Sequence, residues 1–247
     1  MKKGECKGMF NKVIVAVVGS SNSGKTTAVE YIIKGLIEKG YSVASAKRIP
    51  EQEFTIDTEG KDTYKHAKAG SSTVLSVAPN ELTVIKKVDT KKYSLQQLIA
   101  QIPDETDIII VEGFKSLVGQ DMTIPKIVAV KSQNEVSEAL ERYKNILAFI
   151  TQSSDEGMEV IGKKVKFVNE PNELVELVYQ KVAVLVERKR KREEKITIQV
   201  DEQMLPLGEF VQDIVRNSVL GMVSSLKGVK IKGEEKVSIV IKRLTRG

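Results

Sequence analysis

Cysteine and histidine occur once each in the 247 residues, as Cys6 and His66, and tryptophan is absent. One cysteine leaves no intramolecular disulfide framework and no cysteine-based zinc site. One histidine excludes a His₂ or His₃ metal centre within a single chain, and any Ser-His-Asp or Cys-His unit would have to use His66. His66 has no partner evident in the sequence and is expected on a wet helix face. Aromatic residues make up only 5% of the chain, which argues against a base-stacking nucleic-acid platform. No apolar run approaches 18 residues, and the first, Val13 to Val18, is too short for a signal-peptide core. These absences point to a soluble cytoplasmic protein.

What is present suits one α/β domain with a small appendage: 41% apolar residues and 29% charged. The net charge of +6 is unevenly placed. Residues 1–187 balance, with 25 basic and 25 acidic, whereas the last sixty hold 14 basic and 8 acidic. The expected division is therefore a main domain over 1–187 and, over 188–247, a basic linker with a small α+β module.

Patterning supports a mainly parallel sheet. Asn11 to Gly19 reads as a strand buried on both faces, Thr26 to Lys39 as an amphipathic helix closed by Gly40, and Tyr41 to Ala46 as a second strand. Further strands are expected at Thr73–Val77, Leu82–Lys87, Asp107–Val111, Lys126–Val130 and Ile146–Ile150, with helices at Lys61–Ala69, Leu95–Ile102 and Asn172–Val186. This alternation predicts a three-layer α/β sandwich of the P-loop NTPase type. After the run Arg188–Lys195, the residues Ile196, Ile198 and Val200 alternate as in a strand, and Asp201–Gln203 reads as a turn. A helix is expected over Phe210–Leu226, and Val237, Ile239 and Ile241 alternate again. A module this small is expected to pack on a neighbour or dimerise.

The strongest motif is Gly19-Ser20-Ser21-Asn22-Ser23-Gly24-Lys25-Thr26, a G-x-x-x-x-G-K-[ST] phosphate loop between a strand and a helix. Glycines let the backbone curl so that amides face phosphate oxygens, and the next helix adds unpaired N–H groups and its dipole. Lys25 supplies a point charge and the Thr26 hydroxyl a Mg²⁺ ligand. A second metal anchor is expected at the carboxyl end of a neighbouring apolar strand, where Asp107-Ile108-Ile109-Ile110-Val111-Glu112 places Glu112. Asp57 and Asp62, in the loop after the second strand, could hold a metal-bound water. For Asp62 a helix-start carboxylate near Lys61 fits as well.

These clusters resemble the molybdopterin-guanine dinucleotide biosynthesis adaptor family, MobB. The matching pieces are GSSNSGKTT (Gly19 to Thr27), DTEGKDTYKHAKAG (Asp57 to Gly70), DIIIVEGFK (Asp107 to Lys115) and PKIVAV (Pro125 to Val130), and the likeness covers roughly 10–185. The resemblance implies a GTP-binding, Mg²⁺-dependent homodimer with weak GTPase activity. It would assist the guanylyltransferase that attaches GMP to molybdopterin in molybdenum or tungsten cofactor synthesis, with molybdopterin as a possible ligand. It implies nucleotide binding by Asn22, Ser23, Gly24, Lys25, Thr26 and Thr27, and Gly19, Ser20, Ser21 and Lys61 are expected to join them at the nucleotide. It also implies metal contacts by Thr26, Glu112 and Asp57, and catalytic roles for Asp57, Asp62 and Glu112. The chain departs from the family at Arg48–Phe54, where a histidine-rich stretch is replaced by residues without histidine. No N-K-x-D guanine motif occurs, and Thr151-Gln152-Ser153-Ser154-Asp155 stands in its place.

Three alternatives share parts of this pattern. A small-molecule kinase would use the same loop but needs a cationic lid, to which the region after Glu112 contributes only Lys115. A GTPase metallochaperone would normally carry its own Cys/His motif. Nucleic-acid binding through the basic tail would be steeply salt-dependent.

Overall fold

A computed structural model describes residues 12–151, 166–193, 198–200, 203–205 and 207–227. The chain divides into two compact units, Met1–Val186 and Glu187–Gly247. In the first unit the order is β1 (Val13–Gly19), α1 (Lys25–Glu38), β2 (Val43–Lys47), α2 (Asp62–Lys68), β3 (Thr73–Ala78), β4 (Glu81–Lys86), α3 (Leu95–Ile99), β5 (Ile108–Glu112), α4 (Lys115–Val118), β6 (Lys126–Ala129), α5 (Gln133–Arg142), β7 (Ile146–Ile150) and α6 (Pro171–Glu193), the last running past the boundary.

Five parallel strands form the central sheet in the order β2-β5-β1-β6-β7. The central strand β1 is buried at all seven positions, which is why it reads as an unbroken apolar run. Its side chains alternate between two cores. Val13, Val15 and Val17 join Ile108, Ile110 and Ile127 beneath α1 and α6. Ile14, Ala16 and Val18 join Ile109, Val111 and Val128 beneath α3, α4 and α5. This is the expected three-layer α/β sandwich. Gly35, inside α1, permits the close approach of α6: a Cβ there would lie 2.3 Å from Val175 Cγ1.

Several features differ from the sequence expectations. The strands at 73–78 and 81–86 do not join the central sheet but form a separate antiparallel hairpin. Its register puts Leu75 opposite Val84 and Val77 opposite Leu82. These four apolar side chains are all exposed, by 51–72%. The other face, with Val74 and Ile85, is turned inward. Helices α4 and α5 carry few apolar residues and were not anticipated; α5 is fixed by its cap, Ser132 accepting from the Glu135 N–H at 3.4 Å. The run at 188–192, expected as a helix end or a linker, is helical and closes α6.

In the second unit the described elements are β8 (Ile198–Val200), paired antiparallel with β9 (Gln203–Leu205), and α7 (Glu209–Ser224), an α+β arrangement. Gln203, expected in the turn, opens β9. Ile196, Gly228 and the alternation at Val237, Ile239 and Ile241 lie outside the described residues. Among the described residues, no helix is long and apolar enough to cross a membrane.

Candidate phosphate-binding site

The loop between β1 and α1 is held in a curled shape by its backbone. Gly19, Asn22 and Gly24 have φ of 150°, 55° and 88°. Asparagine is among the few residues with a side chain that tolerate such a value. Ser23 is buried to 1% exposure and donates its hydroxyl to the Ser20 carbonyl at 2.9 Å. The Lys25 ammonium donates to the same carbonyl. Helix α1 begins with no side-chain cap on Gly24 and no acidic residue in its first turn. Its leading N–H groups and its positive dipole end are therefore suited to an anion.

Glu112 comes to this loop because β5 lies next to β1, with Glu112 in register with Val17. Glu112 is buried, 7% exposed, and its Oε1 accepts from the Thr26 hydroxyl at 3.1 Å. The sequence-expected pair of metal ligands is thus brought together. Two such oxygens, with waters and phosphate oxygens completing the shell, fit Mg²⁺, which binds few protein carboxylates. The Lys47 ammonium lies 3.1 Å from the same Oε1 and 3.5 Å from Thr26 Oγ1. A cation is therefore already seated beside both oxygens, and Mg²⁺ entering there would displace it. Lys47 owes its place to the register, in which it is the β2 partner of Glu112.

Sequence reasoning missed how many lysines converge here. Lys47, Lys115 and Lys131 surround Lys25, and Lys131 donates to the Ser21 carbonyl at 2.9 Å. Burial, and next the Lys115 ammonium, hold the Lys25 amine below its ordinary value. Glu112 acts the other way, and Lys47 and Lys131 add to the depression. Lys115 is lowered too, by burial and then by Arg142, against an opposing pull from Glu135. A signal existed: Lys47 ends β2, Lys115 follows β5 by three residues, and Lys131 follows β6 by two. All sit at carboxyl ends of parallel strands, where such sheets bind ligands.

The other expected residues stand apart. Asp57 Oδ1 accepts from Thr63 Oγ1 at 2.8 Å and from the Thr58 N–H at 3.0 Å, while its buried Oδ2 has no hydrogen-bond partner. Asp62 opens α2, exposed and paired with Lys65 at 3.1 Å, as a helix-start carboxylate would be. Lys61 precedes it as the N-cap, and His66 lies exposed on the same helix. Among the described residues no contact joins Asp57, Lys61 or Asp62 to Thr26 or Glu112.

On the other side of the loop, a shallow open cleft of about 100 Å³ is lined by Ser23, Gly24, Thr27 and Tyr31 together with Thr151, Asn169, Glu170 and Pro171. Its position beside Thr27 suits the sugar and base of a nucleotide whose phosphates occupy the loop. Gln152–Asp155, the stretch standing where a guanine motif would be, lies outside the described residues.

Comparison with known proteins identifies the family. A family model, MobB, molybdopterin guanine dinucleotide synthesis protein B, matches residues 14–152. A Methanocaldococcus jannaschii protein named as a candidate molybdopterin-guanine dinucleotide biosynthesis adapter is 27% identical over 241 residues, 94% of this chain and 99% of its own length. That similarity extends into the C-terminal unit. The Haemophilus influenzae molybdopterin-guanine dinucleotide biosynthesis adapter protein is 36% identical over 121 residues, 48% of this chain and 64% of its own. The crystal structure of Bacillus subtilis MobB superimposes with a TM-score of 0.55 at 26% identity, covering 68% of this chain and 97% of that one. With more than half its length matched, and with the phosphate loop and the Glu112 strand inside the matched segment, the chain belongs to the MobB family.

Proposed function

We propose that this chain is a cytoplasmic GTP-binding adapter of molybdopterin guanine dinucleotide biosynthesis. It binds GTP with Mg²⁺ through residues 1–187 and assists a partner guanylyltransferase that joins GMP to molybdopterin. The observation carrying this reading is the Thr26–Glu112 contact at 3.1 Å beside the uncapped start of α1. Gly19 to Thr27 cradle the phosphates, Lys25 offsets their charge, and Thr26 and Glu112 hold the metal. Mg²⁺, when bound, neutralises phosphate charge and orients the terminal group. Asp57, with one buried oxygen unpartnered, is the second acidic group of the proposal, and Lys61 and Asp62 are proposed to approach the nucleotide from the same loop once it is bound. Weak Mg²⁺-dependent hydrolysis is part of the same proposal and follows from the family resemblance. The net positive charge of 188–247 is proposed to attract an anionic cofactor such as molybdopterin or an acidic partner.

The adapter role is tested by binding the purified chain to purified molybdopterin guanylyltransferase on a sensor surface, with GTP, with GDP and with neither. A nucleotide-dependent affinity is expected. Equal absence of binding under all three conditions counts against the role.

The proposed homodimer rests on the β3–β4 hairpin, whose outward face carries Leu75, Val77, Leu82 and Val84, with Lys86 at one end of the same face. Monomers rarely leave such a patch uncovered. The variant Leu82→Asp should shift the chain from dimer to monomer in light scattering after gel filtration while leaving its circular dichroism unchanged. A wild-type monomer, or a variant that stays dimeric, removes this surface from consideration.

A further inference from the structure

The phosphate loop accounts for one lysine, Lys25, but a second ammonium is built against the loop from a different element. Strand β6 leaves the sheet beside β1, with Ala129 in register with Gly19. Two residues later the backbone of Lys131 is pinned: its N–H donates to Glu135 Oε2 at 2.8 Å, and the next residue, Ser132, accepts from the Glu135 N–H at 3.4 Å. This reciprocal cap fixes where the Lys131 side chain starts. From there its Nζ crosses to the Ser21 carbonyl at 2.9 Å, at the arch of the loop. An ammonium has three donors, and the Ser21 carbonyl takes one.

Position along the nucleotide follows from the rest of the site. The sugar-and-base cleft borders Ser23, Gly24 and Thr27, at the helix side of the loop, and does not include Ser20 or Ser21. A polyphosphate entering from that cleft runs past Lys25 and ends under the arch, near the Ser21 carbonyl and across from Thr26 and Glu112. An added cation at that end meets the charge of the last phosphoryl group, the role filled elsewhere by a finger residue supplied in cis.

We propose that Lys131 binds the terminal phosphoryl group of a bound nucleoside triphosphate, so that this lysine makes the site distinguish triphosphate from diphosphate. The inference rests on the nucleotide-binding reading above. Its experiment is calorimetric titration of wild type, Lys131→Gln, Lys131→Arg and Lys25→Ala with GDP and with a non-hydrolysable GTP analogue, in Mg²⁺ at fixed salt. Loss of one charge-assisted hydrogen bond predicts that Lys131→Gln weakens the triphosphate analogue by about tenfold or more and GDP by less than about twofold. Lys131→Arg should keep most of the preference, and Lys25→Ala should lose both ligands. If wild type binds both nucleotides and Lys131→Gln weakens them equally or not at all, the role of Lys131 is overturned while the nucleotide site stands. If wild type binds neither nucleotide, both fall together.

Discussion

Lys25→Ala is expected to lower the affinity for GTP by about a hundredfold or more, with little loss of folded stability. Lysine at this place makes charge-assisted hydrogen bonds worth about 1.5–3 kcal/mol each, and two phosphoryl groups lie within its reach. The fold, by contrast, gains little from it. Its amine is held below the ordinary value by burial and by the ammonium groups of Lys115, Lys47 and Lys131. A cation so surrounded is unfavourable until an anion arrives, so truncation removes repulsion as well as attraction. The measurement is the rise in melting temperature on adding GTP-Mg²⁺, which follows mass action and should vanish in the variant while the ligand-free melting temperature barely moves. A variant that still shows the full GTP-induced rise would remove Lys25 from the site.

Gly19→Ala should act on both fold and site. A Cβ at Gly19 would lie 2.1 Å from the Ala129 carbonyl oxygen and 2.9 Å from Ser23 Oγ, at a φ of 150° that side-chain-bearing residues rarely adopt. The first of these obstacles is backbone and cannot rotate away. Either the β1–β6 pairing at Gly19 and Ala129 opens, or the loop moves off Ser23 and loses its hydrogen bond to Ser20. Steric conflict plus backbone strain is expected to cost about 4 kcal/mol or more, at the severe end for a single substitution. Urea unfolding should show a much reduced midpoint, and residual folded protein should not respond to GTP. A midpoint close to wild type would mean that the backbone there yields more readily than its packing indicates.

The sheet was legible because its strands are buried on both faces, so β1, β5, β6 and β7 stand out as apolar runs. The phosphate loop was legible because its chemistry is local: eight consecutive residues contain the turn, the charge and the metal hydroxyl. Glu112 could be found because an acidic residue ends an apolar run. The hairpin was legible as two strands but not as a separate sheet, because pairing partners depend on topology rather than on local pattern. Helix α5 escaped because it buries only Val136 and Ala139, and its cap by Ser132 is a weak signal without an apolar stripe. Lys47, Lys115 and Lys131 escaped for a different reason. Each is an ordinary surface residue on its own segment, and only the parallel register stacks three strand ends around one loop. Asp57 and Asp62 show the reverse case, suggestive in sequence yet standing in the structure with neighbours from their own loop and helix.

The reduced proton affinity of Lys25 and Lys115 ties ligand binding to acidity. Both amines sit below the ordinary lysine value of 10.5, and a bound polyphosphate would draw them back toward it. Between the lowered and the ordinary values, the protein with its ligand holds more protons than the protein without, so binding takes up protons and weakens as pH rises through that window. Below the window both amines are already charged and binding is independent of pH in this respect. Within it, the heat of binding includes the ionisation enthalpy of whichever buffer gives up those protons.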